Sequence, residues 1–256
     1  GSITLENRFG VNKMELISLK YAIFVIVLLV LYYCFPKKYR WYVLLAGSMA
    51  YYVIICKWYV LFIIFTICTT YGSTIWIDKL LKEQNAIVKS HKEDWDRQTR
   101  KEYKEKGRKK RVAVMLFALL CNFGILAFLK YIPYAGELGL LLPLGISFYT
   151  FQSMGYVMDV YREIVEPEKN FLKVALFVSF FPQIIQGPIA IYDKLAGQLY
   201  EGHSLRLENL QKGALLVLWG VMKKLVIADR AVNIINFVMD KPMDFSGTYV
   251  FFAAVV

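Results

Sequence analysis

Four charge-free apolar runs occupy the first half of the sequence and leave few folds open to it. They are Tyr21–Pro36, Trp41–Cys56, Trp58–Ile77 and Val112–Leu129. A helix needs roughly 20 mostly apolar residues to cross the hydrocarbon of a bilayer, with ~17 to 25 as the working range. The first run reaches that length by extending backward through Leu16, Ile17 and Leu19, and only Lys57 separates the second from the third. Trp41 and Trp58 stand at run edges, where interfacial aromatics are favoured. With 57 % hydrophobic residues, the chain carries more apolar surface than a soluble core uses. The fold class expected is all-α: a polytopic integral membrane protein, with the lipid bilayer as its solvent.

The net charge of +11 raises nucleic acid as a partner, and its distribution removes it. Between Asp78 and Arg111 lie thirteen Lys or Arg and seven Asp or Glu, an excess of six in one segment between helices. That is how the positive-inside rule marks a cytoplasmic loop, not how a basic stripe is laid out for a duplex. If residues 78–111 are inside, Lys57 lies outside and Lys37, Lys38 and Arg40 lie inside. The N-terminus and Lys130–Glu137 then fall outside. The chain divides into an N-terminal segment (1–20), three transmembrane helices (21–77), the basic loop (78–111) and a longer remainder (112–256). Within the loop, Glu93 with Arg97, Glu102 with Lys106, and Glu105 with Lys109 are spaced four apart, as in a solvated helix. Leu80, Leu81, Ile87, Val88 and Trp95 are candidates to rest it on the membrane surface. A soluble partner docking there is the rival reading.

Cys34, Cys56, Cys68 and Cys121 all fall inside apolar runs and match neither a zinc spacing nor a disulfide framework, so no metal is expected. No small-residue cleavage site follows the first run, which reads as a helix that stays.

Beyond residue 130 the apolar segments become polar-spotted. Leu138–Met158 carries Pro143, Gly145, Ser147, Thr150, Gln152, Ser153 and Gly155. Val174–Tyr192 carries Pro182, Gln183, Gln186, Gly187 and Pro188. In hydrocarbon, broken backbone and amide side chains are tolerated only where protein or a water-filled cavity surrounds them. Both segments should face an interior, as a tunnel or a re-entrant structure. Whether Val174–Tyr192 crosses or turns back stays open, and with it the topology beyond residue 173. A polar connection (193–212), an amphipathic run from Gly213 to about Met239 and the apolar Phe245–Val256 follow. The last reads as a spanning helix cut in the middle.

Three stretches carry a resemblance. Pro143-Leu-Gly-Ile-Ser-Phe-Tyr-Thr-Phe-Gln152, continuing to Tyr156-Val-Met-Asp-Val-Tyr-Arg162, is similar to the membrane-bound O-acyltransferase family, and most to its bacterial alginate O-acetyltransferase-like subgroup. Phe177-Val-Ser-Phe-Phe-Pro-Gln-Ile-Ile-Gln-Gly-Pro-Ile189 and Gly220-Val-Met-Lys-Lys-Leu-Val-Ile-Ala-Asp-Arg230 follow in the order and spacing that subgroup shows. The first 130 residues match only in character.

The resemblance implies an enzyme of the bacterial cytoplasmic membrane. It would move an acetyl group from a cytoplasmic thioester, acetyl-CoA or another acyl thioester, to a hydroxyl of an extracytoplasmic polysaccharide. It also implies a tunnel through the membrane and a histidine as general base, because a hydroxyl attacking a thioester must lose its proton and imidazole titrates in the useful range. The family's histidine lies in an aromatic-Arg-Arg-Trp-His motif downstream of an aromatic-Asp-Phe-Ser-Gly motif. Neither stands at the right place here. Asp244-Phe-Ser-Gly247 comes too soon after Asp229 and reads as a polar turn leading into a helix. His91 and His203 read as solvated side chains, so no catalytic residue is assigned, and the histidine is expected beyond Val256.

Candidate tunnel residues are Gln152, Gln183 and Gln186, with Lys223 and Lys224 as attractors of the donor's phosphates. Helix packing and snorkelling at a helix edge are the rival roles. Pro143, Gly145, Pro182, Gly187 and Pro188 are the structural motif that breaks the helices. Asp159 and Arg162 are placed as a pair at a helix end. An extracytoplasmic hydrolase-like partner or a cytoplasmic acyl carrier fits the implied chemistry. D-alanyl transfer to teichoic acid, a transporter with broken helices and a non-catalytic scaffold are the alternatives.

Overall fold

The structure, a computed structural model, describes residues 19–91, 94–131, 143, 145–186, 189–239, 246–248 and 251. Among the described residues every regular element is helical, as expected. Among the described residues, eight α-helices belong to a unit that closes at His203: α1 (Leu19–Cys34), α2 (Arg40–Cys56), α3 (Val60–Ser90), α4 (Arg97–Tyr131), α5 (Ile146–Tyr161), α6 (Phe171–Ser179), α7 (Phe181–Gln186) and α8 (Tyr192–Tyr200). A second unit begins at Ser204. It holds α9 (Leu207–Met222), a π-helical stretch (Lys223–Ala228) and α10 (Asp229–Met239).

Two continuous helical runs, Lys37–Ser90 and Arg97–Tyr131, are long and apolar enough to cross a membrane. The first is not straight. Lys57 adopts φ 48°, a left-handed conformation that a lysine takes only under constraint. Trp41 shares an apolar cluster with Leu176, while the Tyr71 ring meets Phe171, centroids 5.4 Å apart. A straight helix would hold residues 41 and 71 about 45 Å apart, whereas residues 171 and 176 of α6 are separated by only about 8 Å. The chain therefore folds back at Lys57, and α2 and α3 are the two arms of a helical hairpin. Leu28 packs on Gly47 and the Phe24 ring on Tyr51, so α1 runs antiparallel to α2.

The charged segment is helical on both sides rather than a loop between two spans. At 1.5 Å per residue, α3 and α4 are about 46 and 52 Å long, well beyond a hydrocarbon core of ~30 Å. Gln84 Nε2 donates to Lys104 O at 2.9 Å in space left by Gly107, and Asn122 Nδ2 donates to Thr69 Oγ1 at 2.9 Å. These two bonds tie the antiparallel pair at widely separated levels. Among the described residues other pairs than Glu102–Lys106 and Glu105–Lys109 form in this segment. Lys82 meets Asp78 at 2.5 Å, Lys79 meets Glu83 at 3.9 Å, and Glu102 accepts from Gln98 at 3.2 Å. Glu93 lies outside the described residues. Leu80 packs on the core, and Trp95 stacks on His91 with its ring tilted against Tyr103; both remain partly exposed.

The bundle is apolar outside and polar-spotted inside. Leu19, Ile26, Val30, Phe117 and Leu120 are exposed, whereas Ser48, Thr70, Thr74, Asn122 and Ser153 are buried among the helices. A soluble protein cannot show apolar faces of that extent to water, and in lipid it is polar side chains that bind helix to helix. The chain is an all-α membrane protein.

Candidate functional site

Asn170 starts α6 by accepting a bond from Leu172 N at 2.9 Å, the usual relief for an unpaired donor at a helix N-terminus. The helix buries Val174–Ser179 and then breaks at Phe180, whose ψ is 107°. Pro182 explains the position. It has no N–H to donate back to Val178, so the helix cannot continue through it, but it fits the first turn of a new helix, where no donor is needed. Phe180 O accepts from Gln183 N at 3.1 Å and opens α7.

A break of this kind strands backbone groups in a low-dielectric interior, where each unpaired group costs several kcal/mol. Side chains of neighbouring helices satisfy two of them. Gln152 on α5, 4 % exposed, donates Nε2 to Phe177 O at 2.8 Å. Ser48 on α2 accepts from Phe181 N at 3.4 Å. Gln152 thus fastens α5 to the broken helix.

Gly145 lies against the same break. Its φ of +70° favours glycine, and a Cβ there would overlap the carbonyl oxygen and side chain of Ile184. Pro143 O accepts from Ile146 N at 3.3 Å. Pro143, Gly145, Gln152, Pro182 and Gln183 therefore assemble where α5 meets the α6–α7 break. Gly187 and Pro188 lie outside the described residues, as does the side chain of Gln186. Gln183 Oε1, Ser153 Oγ and Ser179 Oγ are buried with no partner among the described residues.

After the break the chain turns back. The Tyr192 ring stacks on Tyr156 at 4.1 Å and meets Phe177 edge-on at 4.9 Å, so by α8 it has returned to the middle of α6. Tyr200 then donates to Lys173 O at 2.8 Å, near the start of α6. The described parts of Val174–Tyr192 thus belong to a segment that leads away along α6 and comes back beside it.

The return is fixed by Arg40. Its guanidinium donates to Phe35 O (2.9 Å), Tyr33 O (3.5 Å) and His203 O, and lies 5.3 and 5.1 Å from the Tyr32 and Tyr33 rings. Gly202 sits so close to the Lys37 backbone that a Cβ would overlap it. One end of the bundle thus collects the basic turn 37–40, the charged extensions of α3 and α4, and both ends of the re-entrant hairpin.

The ion pair at the end of α5 is not Asp159 with Arg162. Arg111 Nη1 reaches Glu163 Oε1 at 2.8 Å, and Asp159 serves through its backbone carbonyl, accepting from Ile164 N at 2.9 Å. Glu163 ends the helix at φ 62°, a conformation usually left to glycine or asparagine. Sequence reading missed this pair, Ser48 and the Arg40 clamp. Arg111, the last charge before an apolar run, was the one visible signal.

His91 stacks on Trp95 at the end of α3, ring centroids 4.8 Å apart. His203 is exposed, its Nε2 3.0 Å from Gln198 O. Neither is buried among the apolar helices. In the second unit Lys223 is exposed, its ammonium 5.2 Å from the Trp219 ring, and Lys224 is half-buried. Both open the π-helical stretch, a geometry frequent at functional sites. Among the described residues no His, Cys, Asp or Glu cluster suited to a metal occurs.

Comparison with known proteins bears on the family resemblance. No family model matches the chain, and no solved structure does. A peptidoglycan O-acetyltransferase of Helicobacter pylori is 31 % identical over 170 residues, covering 52 % of this chain and 32 % of that protein. A probable alginate O-acetylase AlgI of Pseudomonas syringae pv. tomato is 40 % identical over 89 residues, 35 % of this chain and 17 % of the relative. Its counterpart in Pseudomonas aeruginosa is 38 % identical over 90 residues, with the same coverage. The chain thus spans at most about a third of the length of these relatives. The resemblance carried by the three motif blocks is borne out: over the residues matched, this chain is similar to the bacterial O-acetyltransferases, alginate O-acetylases among them.

Proposed function

We propose that this chain is part of a membrane O-acetyltransferase that transfers acetyl groups to hydroxyls of a polysaccharide outside the cytoplasmic membrane. The observation that carries the reading is the similarity to proteins named for O-acetylation of alginate and peptidoglycan. The broken, re-entrant hairpin supports it, because the motif Phe177–Ile189 is the segment that forms it.

In this proposal the basic end faces the cytoplasm, following the positive-inside rule, and α1 to α4 each cross the bilayer with the N-terminus outside. The donor is an acyl thioester, acetyl-CoA the simplest, approaching from the basic end. Acyl transfer to a hydroxyl requires an acyl path that excludes bulk water and polar groups to orient the thioester. Gln183, with Oε1 buried and unpartnered among the described residues, is the first candidate for that orientation, and Gln186 the second. Lys223 and Lys224 are candidates for the donor's phosphates. Gln152 holds the break in shape. Neither His91 nor His203 is assigned the proton transfer.

The test is chemical. Deleting the gene should abolish O-acetylation of one exported polymer, and the full-length gene should restore it. Unchanged acetyl content in every surface polymer would sink the proposal. Loss of D-alanine esters instead would move the assignment to D-alanyl transfer from a carrier protein.

A further inference from the structure

An apolar groove of about 410 Å³ runs along α1 toward the basic end of the bundle. Leu29, Phe181, Pro182 and Leu199 stand in its walls, and His203 and Tyr32 close it at the basic end. Its length is informative. The α1 residues that line it run from Val25 to Tyr33, about 12 Å of helix, against ~15 Å for one leaflet of a hydrocarbon core of ~30 Å. The groove is therefore one leaflet deep.

What stands at its end is cationic. Gly202 rests on the Lys37 backbone, and His203 N donates to Tyr32 Oη at 3.3 Å. This packing sets the Lys37–Lys38 turn beside the groove's mouth. Both lysines are exposed, and Arg40 adds its charge while its own donors are taken up by carbonyls. A hydrocarbon slot about one leaflet long, with the exposed Lys37–Lys38 turn packed beside its end through Gly202 and His203, fits an acyl chain with a phosphate at its head. Basic pockets between membrane helices recognise anionic headgroups in this way.

We infer that the groove between α1 and the re-entrant hairpin binds a single anionic phospholipid, its phosphate held by Lys37 and Lys38. The lipid packs against Pro182 and Phe181, so it braces the outer side of the helix break. The inference does not depend on the acetyl-transfer reading.

Native mass spectrometry of the full-length protein in detergent tests it, with phosphatidylglycerol and phosphatidylcholine of identical acyl chains as probes. Near a membrane surface each basic residue contributes ~1 kcal/mol of attraction to anionic lipid, so two lysines correspond to roughly a thirty-fold preference for the first phosphatidylglycerol bound. Lys37→Gln with Lys38→Gln should erase that preference while an acyl-chain adduct persists. Leu29→Trp, which fills the slot from its exposed side, should remove the first adduct of either lipid. Equal binding of the two lipids to the unmodified protein would overturn the inference, as would a preference that survives the double lysine change. So would a Leu29→Cys protein that retains no lipid and resists a membrane-permeant maleimide, because the groove would then be filled by protein.

Discussion

Replacing Gln152 by Met isolates the bond that closes the helix break. Methionine keeps the length and unbranched shape of glutamine, so packing is nearly preserved and only the amide is lost. In the structure that amide donates to Phe177 O at 2.8 Å from a side chain 4 % exposed. The carbonyl has no helical alternative, because Phe180 leaves the helix and Phe181 N turns to Ser48. Leaving a buried acceptor unpaired costs about 1–3 kcal/mol. Side-chain hydrogen bonds between membrane helices average nearer ~0.6 kcal/mol, because the unfolded chain in the membrane also finds partners. Here the acceptor is backbone, fixed by Pro182, so a loss of about 1–2 kcal/mol is expected. Thermal unfolding in detergent reads the stability, and amide hydrogen exchange over residues 177–183 reads the break itself. Gln152→Met should lower the first and raise exchange in that segment by roughly ten-fold, as 1.4 kcal/mol implies. A variant of undiminished stability with unchanged exchange at the break would refute the reasoning.

Other substitutions probe the same frame. Gly145→Ala combines a left-handed backbone with overlap onto Ile184, and should cost about 2 kcal/mol or more, read as lost thermal stability in detergent. Glu163→Ala should be worse than Arg111→Met: the first leaves a guanidinium whose side chain is 11 % exposed without its partner, the second leaves a carboxylate that is 55 % exposed. Uncompensated buried charge costs up to ~3–5 kcal/mol, and an exposed one far less; comparing the unfolding temperatures of the two variants checks the order. Gly202→Ala should separate the end of α8 from the 37–40 turn, and a cysteine pair introduced across that junction should then crosslink less efficiently.

Much of the architecture was legible because the bilayer restricts what a sequence can do. A run such as Val112–Leu129 with no charge can be satisfied in lipid only as helix, and the density of charge in 78–111 marks that segment as lying outside the hydrocarbon. Pro182 announced the break in α6 for an equally local reason, the missing N–H. The motif blocks carried the resemblance to O-acetyltransferases without any coordinates.

Tertiary structure decided what depends on partners distant in sequence. Nothing local tells whether a chain broken at Pro182 runs onward or folds back. Tyr192 stacking on Tyr156 and Tyr200 reaching Lys173 show that it folds back on α6. That the Gln152 amide is spent on Phe177 O, 25 residues away, is visible only in the packed bundle. Arg111 could not be matched to Glu163 by spacing, since 52 residues separate them. Composition and periodicity set each segment's affinity for lipid, a property of the segment alone. Which stranded donor meets which acceptor is set by the packing of the whole bundle.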